Sequence, residues 1–187
     1  MSAGEPLLDA RGVALIRGGR LLFDALDMCI SPGDGIQLTG PNGSGKTSLL
    51  RLFAGLLQPS AGTVSSASIA LADEHSALDR ELPLGRALAF WGQDRLDVAI
   101  TAFGLEPLSE VPVRLLSAGQ IKRAALARTM ATGTMLWLLD EPHNGLDREA
   151  VKLLDAAIAA QRGAGGAVIV ATHLALAGEW RRVELGQ

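Results

Sequence analysis

Eight consecutive residues, Gly40-Pro41-Asn42-Gly43-Ser44-Gly45-Lys46-Thr47, fit the spacing G-x-x-x-x-G-K-[ST]. Their chemistry suits a polyphosphate. Glycines leave the backbone free to curl so that successive N–H groups converge on anionic oxygens. A helix starting at the end of such a loop adds its positive N-terminal end. Lys46 is placed to reach the β- and γ-phosphates of a nucleoside triphosphate, and the Thr47 hydroxyl to ligate Mg²⁺, with Ser48 next to it in the same cradle.

A second group lies about ninety residues on. Met135-Leu136-Trp137-Leu138-Leu139 is a continuous apolar run that ends in Asp140-Glu141-Pro142. Two adjacent acids at a strand tip need a cation or a proton task, unless they are simply solvated loop acids. With a phosphate loop upstream, Asp140 is expected to hold Mg²⁺, directly or through water, and Glu141 to polarise an attacking water. A third group is His173, after the apolar run Ala167-Val168-Ile169-Val170-Ala171 and Thr172. A histidine at the end of a buried strand is often structural, but here the neighbouring strands are expected to carry the phosphate loop and the acid pair.

These groups require an α/β scaffold. Gly35-Ile36-Gln37-Leu38-Thr39 reads as a short alternating strand feeding the loop, and residues 48–57 as the helix that follows. The apolar runs 135–139 and 167–171 read as buried parallel strands, whose C-terminal tips are where ligands bind in open sheets. Upstream, 7–16 and 21–30 read as two strands joined at Gly18-Gly19, and Ser31-Pro32-Gly33-Asp34 as a turn. Residues 58–62 read as a turn, 68–72 as a strand, 73–82 as a loop, 83–91 and 95–103 as helical, and 105–116 as irregular. Leu116-Ser117-Ala118-Gly119-Gln120 precedes a good helix former, residues 121–130, with Ser117 where an N-cap sits. Asp147 precedes a further helix, 148–161, and caps it or serves the site. Residues 182–185 form a last candidate strand. Trp91 and Trp137 lie in apolar runs and are read as packing residues.

The 187 residues suffice for one domain with a sizeable core, and 48% hydrophobic against 20% charged residues is a globular composition. A net charge of −3 argues against nucleic-acid binding by bulk charge. The single cysteine, Cys29, rules out a disulfide framework and fits a reducing cytoplasm. No apolar run approaches the roughly 18–20 residues that cross a bilayer. The N-terminus, Met1 to Pro6, has no signal-peptide pattern, so attachment to a membrane is expected to come from partners.

Taken in order, the phosphate loop, Leu116-Ser117-Ala118-Gly119-Gln120, Leu138-Leu139-Asp140-Glu141-Pro142, Asp147 and His173 resemble the ATP-binding subunits of ABC transporters over nearly the whole chain. The resemblance implies a P-loop NTPase of the ABC ATPase type. Its fold has a mainly parallel central sheet, an N-terminal antiparallel β subdomain and a small helical subdomain at about 73–131, inserted within one domain of residues 1–187. It implies ATP and Mg²⁺ as cofactors, Glu141 as catalytic glutamate, His173 as switch histidine and Asp147 as D-loop aspartate. Ser117, Ala118, Gly119 and Gln120 would form the signature that binds the γ-phosphate of the ATP held by a partner subunit. The implied assembly is a head-to-tail dimer with two ATP molecules between subunits, docked on integral-membrane permease subunits at the cytoplasmic face of a bacterial inner membrane. Residues 73–112 are the expected docking region.

Three departures from the family pattern stand out. No glutamine follows the strand at 68–72, and His75 is the nearest substitute, or else a surface histidine. Arg17 occupies the place of the usual adenine-stacking aromatic; its guanidinium stacks instead, or is a solvated turn residue. The chain is also short between the phosphate loop and the signature. With Val111-Pro112-Val113-Arg114-Leu115 before the signature, these features are similar to the subgroup serving the bacterial system that handles haem for cytochrome c maturation. No Cys-x-x-Cys-His occurs and direct haem binding is not expected. Alternatives are another ABC transporter, a non-hydrolysing ATP clamp, a small-molecule kinase, which leaves the signature without a role, and a soluble ABC protein, whose usual insertions and basic patches are not visible.

Overall fold

The computed structural model describes residues 5–75 and 77–186. Residues 1–4, the first part of the segment read for a signal peptide, lie outside the described residues. The chain divides into two compact units. The first comprises residues up to Leu71, Met135–Glu141 and everything from Gln161 on; the second comprises Ala72–Thr134 and Pro142–Ala160.

The first unit is built on two sheets. Strands β1 (Leu8–Arg17), β2 (Arg20–Ile30) and β4 (Ala61–Ser66) form an antiparallel sheet in the order β2-β1-β4. The main sheet runs β5-β6-β7-β3-β8, with β3 (Gly35–Thr39), β5 (Ile69–Ala72), β6 (Leu136–Asp140), β7 (Ala167–Ala171) and β8 (Arg181–Glu184). Strand β3 pairs in parallel with β7 and β8, and β6 in parallel with β7. Helix α1 (Lys46–Phe53) follows the phosphate loop. Its buried residues Leu49, Leu50, Leu52 and Phe53 share a core with Ile36, Leu38, Leu138 and Ile169. Burying each such side chain contributes roughly 1.5–3 kcal/mol.

Four expectations are corrected here. Strand β3 is not half-exposed and alternating. Its residues 35–38 are all buried, because a central strand of a parallel sheet has other elements packed over both faces, α1 among those sharing its core. The helix after the loop begins at Lys46 and ends at Phe53, short of residue 57, because Gly55 takes a φ of 74° that a helix cannot continue through. Strand β4 begins within the turn expected at 58–62 and runs on through residues 63–66, where the sequence carries no strand signal. It lies at the sheet edge with five of six residues exposed, so no apolar run marks it. The helix read at 95–103 opens as a 3-10 turn, Gln93–Arg95, and becomes α-helical only as α3 (Leu96–Ala102).

The second unit holds α2 (Leu84–Ala89), α3, α4 (Ala118–Ala131) and most of α5 (Arg148–Gly163). Between α3 and α4 the chain makes two 3-10 turns, Glu106–Leu108 and Val113–Leu115, which fits its two prolines. Among the described residues, no helix is long and apolar enough to cross a membrane.

Candidate nucleotide site

The phosphate loop sits between the end of β3 and the start of α1, within the first unit. Gly40 opens it with a φ of 137°, and a Cβ there would collide with the Leu185 carbonyl, so only glycine lets the strand turn at this point. Gly45 caps α1 in the left-handed region, φ 101°. Lys46 folds back over the loop, its Nζ donating to the carbonyls of Gly40 at 2.7 Å and Pro41 at 3.1 Å. The ammonium thus lies across the mouth of the loop, held by acceptors that phosphate oxygens can replace.

Beside the loop is a cleft of ≈ 400 Å³. Asn42, Gly43, Lys46, Thr47, Asp140 and Glu141 line it, and Leu22 of β2 forms an apolar wall. A larger groove in this unit, ≈ 530 Å³ beneath the C-terminal end of α1, has no ionisable side chain in its lining and cannot host this chemistry.

The structure brings the acid pair to the loop. Strand β6 ends at Asp140, and Thr47 Oγ1 donates to Asp140 Oδ2 at 2.6 Å. Two hard oxygen ligands in contact beside a phosphate cradle fit a small divalent cation such as Mg²⁺. Glu141 follows with a φ of 43°, rare for a residue bearing a Cβ, and its N–H donates to Ala171 O at 2.8 Å. Such a conformation costs about 1–3 kcal/mol and is found where function fixes a side chain's direction. One Glu141 oxygen, Oε2, accepts from Thr172 Oγ1 at 3.1 Å, and the other, Oε1, lies 3.2 Å from His173 Nδ1. Since a carboxylate only accepts, the histidine contact requires the Nδ1–H tautomer or the imidazolium.

Arg17, at the end of β1, donates from Nη1 to Ser48 Oγ at 3.3 Å. The sequence-predicted residues Arg17, Lys46, Thr47, Ser48, Asp140, Glu141 and His173 therefore meet around one loop. Sequence reasoning missed Leu22, for which nothing but its place opposite the loop speaks, and Thr172, whose hydroxyl next to His173 was a usable signal.

In the second unit Ser117 begins α4 with a capping box. Its Oγ accepts from Gln120 N at 3.3 Å, and Gln120 Oε1 accepts from Ser117 N at 2.8 Å. A Cβ built at Gly119 would lie 3.3 Å from the Gly145 carbonyl oxygen, so the loop before Asp147 packs on the start of α4. Asp147 accepts from Ala150 N at 2.8 Å and caps α5. The His75 side chain is exposed, and the His75 backbone N–H donates to Asp73 Oδ1 at 2.9 Å. Trp91 packs its face on the Arg128 guanidinium, 4.6 Å away. Burial pushes the Arg128 pKa down, against an opposing pull from Asp73.

This strand-borne loop, acid pair and histidine define a class, and comparison with known proteins agrees. Residues 23–144 match the ABC transporter family. The chain belongs to that family and is an ABC-type ATPase that binds ATP. Within the family it belongs with the cytochrome c biogenesis ATP-binding export proteins CcmA. It is 51% identical over 178 residues to that of Sphingopyxis alaskensis, covering 91% of this chain and 92% of the relative. It is 52% identical over 174 residues to that of Novosphingobium aromaticivorans, covering 91% and 90%. It also superposes on a solved structure described as an ATP binding subunit of an ABC transporter, with TM-score 0.82, 22% identity, 90% of this chain and 80% of the other. A putative ABC transporter ATP-binding protein from Pyrococcus furiosus gives TM-score 0.81 at 21% identity, covering 95% and 96%. The last two bear on the fold alone: the ABC ATPase fold, a five-stranded parallel sheet with a three-stranded antiparallel sheet and helices.

Proposed function

We propose that the chain is the ATP-hydrolysing subunit of the haem-handling export complex of cytochrome c maturation. The observation that supports hydrolysis best is the Glu141 carboxylate, held at the cleft between Thr172 and His173. In this reading the loop N–H groups and the α1 N-terminus bind the phosphates, and Lys46 exchanges its carbonyl partners for β- and γ-phosphate oxygens. Thr47 and Asp140 would hold Mg²⁺, which when bound neutralises charge on the β- and γ-oxygens. Glu141 orients the attacking water and takes its proton as the water oxygen bonds to the γ-phosphorus and the bond to ADP breaks. His173 contacts the γ-phosphate while its Nδ1 steadies Glu141. Arg17 lies against the adenine.

The subunit works as a dimer in which Ser117 to Gln120 close on the ATP of the partner subunit, with Asp147 in the intervening loop. A hydroxyl and the N–H groups of a helix start suit an anion. His75 takes the place of the glutamine that senses Mg²⁺ and the membrane partner. Integral-membrane subunits hold the dimer at the cytoplasmic face of the bacterial inner membrane, and residues 73–112 receive them. An exposed aromatic at Phe90, 82% exposed and edge-on to Trp91, supports that docking region.

Tagged protein recovered from detergent-solubilised membranes of its source tests the reading. Co-purification with haem-handling membrane subunits, together with Mg²⁺-dependent ATP hydrolysis, is the expected result. Recovery of a different permease would keep the ATPase and remove the haem system, and recovery of no membrane protein, with or without ATP, would remove the transporter reading.

A further inference from the structure

One strand of the central sheet carries a polar side chain where packing alone calls for an apolar one. Gln37 lies in the middle of β3 and is 3% exposed, between the fully buried Ile36 and Leu38. An amide in such a place is tolerated only when its hydrogen bonds are made. Its Nε2 donates to the Leu174 carbonyl oxygen at 2.8 Å, a bond across 137 positions of sequence.

Leu174 follows His173, and its own N–H donates to Thr172 Oγ1 at 3.2 Å. That hydroxyl in turn donates to Glu141. The register shows how the bond arises. Gln37 pairs with Val170 and Leu38 with Ala171, and Thr172 N still donates to Leu38 O at 3.2 Å. Beyond Thr172 the chain leaves the strand, and the Leu174 carbonyl comes within reach of a long donor on β3. Gln37 stands three residues before Gly40, so the strand that delivers the phosphate loop also grips the loop that carries the histidine.

We infer that Gln37 is a positioning residue for hydrolysis: it fixes the 172–174 loop, and through it the place of His173 against Glu141, relative to the phosphate cradle. The inference rests on the reading of His173 as a participant at the γ-phosphate. Leu174 lies in a solvent-facing loop and is 41% exposed, so loss of this one bond should leave the sheet folded, and methionine is close to glutamine in length and volume. What is lost is a fixed direction, and a displacement of about 1 Å in a reacting group costs up to about 10²-fold in rate.

The test compares full-length wild type, Gln37→Met and His173→Ala. ATP turnover, nucleotide affinity and amide hydrogen exchange are measured on each. For Gln37→Met the expected result is kcat lower by roughly 5–20-fold, ATP affinity within about twofold, faster exchange at residues 173–175 and unchanged exchange in β3 and β7. Wild-type kcat in folded Gln37→Met would overturn the inference. So would a joint fall of kcat, affinity and sheet protection, which marks a purely structural role. If His173→Ala turns over like wild type, the reading of His173 fails, a result distinguishable from failure of Gln37→Met alone. Should Gln37→Met not fold, the wild-type protein decides. Its Gln37 side-chain amide should exchange slowly with solvent and shift in NMR when ADP and vanadate are trapped at the site. An amide in free exchange, or one unmoved by trapping, would overturn the inference.

Discussion

His173 and Glu141 are in contact: Nδ1 of the histidine lies 3.2 Å from Oε1 of the glutamate, and Thr172 Oγ1 holds the other carboxylate oxygen at 3.1 Å. Both carboxylate oxygens are therefore engaged by the turn that follows β7, while the Glu141 backbone adopts a left-handed conformation at the end of β6. The glutamate is oriented by groups at the ends of two adjacent parallel strands.

This predicts a clean separation of binding from turnover. Glu141→Gln keeps the shape of the side chain and removes its capacity to take a proton. We expect kcat to fall by about 10²–10⁴-fold, as for loss of a general base, with ATP affinity retained and an ATP-bound dimer accumulating on size-exclusion chromatography. Unchanged steady-state hydrolysis would remove Glu141 from its role.

The Thr47–Asp140 hydrogen bond at 2.6 Å predicts how the cation dependence is divided. Thr47→Val removes the oxygen ligand proposed for the cation and takes the Thr47 hydrogen bond from the Asp140 carboxylate. The Mg²⁺ concentration for half-maximal hydrolysis should rise by about tenfold or more, the order expected when a metal site is perturbed. Chelation by EDTA should stop hydrolysis in the wild type, and Mg²⁺ titration of the rate measures both. A Thr47→Val enzyme with the wild-type Mg²⁺ profile would place the cation elsewhere.

How far the sequence announced this arrangement depends on how local each signal is. The phosphate loop was legible because its glycines, lysine and threonine act within eight consecutive residues, and β6 and β7 because a strand buried on both faces is mostly apolar and theirs are continuous apolar runs. Ser117 was legible as a cap because a capping box spans only four residues. Strand β4 was not, since an exposed edge strand of Ala, Gly, Thr and Ser carries no hydrophobic pattern. The Gln37–Leu174 bond was not legible either. It joins residues that only the β3–β7 pairing brings together, and in the sequence Gln37 passes for the polar position of an alternating strand.

Arg17 reaches Ser48, the residue after Thr47, and so lies beside the nucleotide cleft without belonging to the loop. A guanidinium over an aromatic ring contributes about 0.5–2 kcal/mol. Arg17→Ala should therefore raise the ATP dissociation constant by about 2–30-fold while leaving kcat at saturating ATP near the wild-type value. Arg17→Tyr should recover most of the loss, because an aromatic face supplies the same stacking surface. If both variants bind ATP like wild type, Arg17 is a solvated turn residue and adenine is held by other groups.

Ser117 caps α4 and, in the proposed function, also meets the partner subunit's ATP, two roles that one substitution can separate. Its hydroxyl accepts from Gln120 N, and the Gln120 side chain accepts from Ser117 N, so the first turn of α4 is closed on itself. Ser117→Ala removes the cap and should destabilise the protein by about 0.5–2 kcal/mol, seen as a lower midpoint in urea. Ser117→Asp preserves a cap acceptor, and an acid at a helix N-terminus is favourable, so its folding stability should stay near that of wild type. The added negative charge would repel the γ-phosphate of the partner subunit's ATP. We therefore expect Ser117→Asp to bind ATP as a monomer with wild-type affinity and to fail in ATP-dependent dimerisation and hydrolysis. Normal dimerisation by Ser117→Asp in the presence of ATP would limit Ser117 to capping and take the signature role away from it.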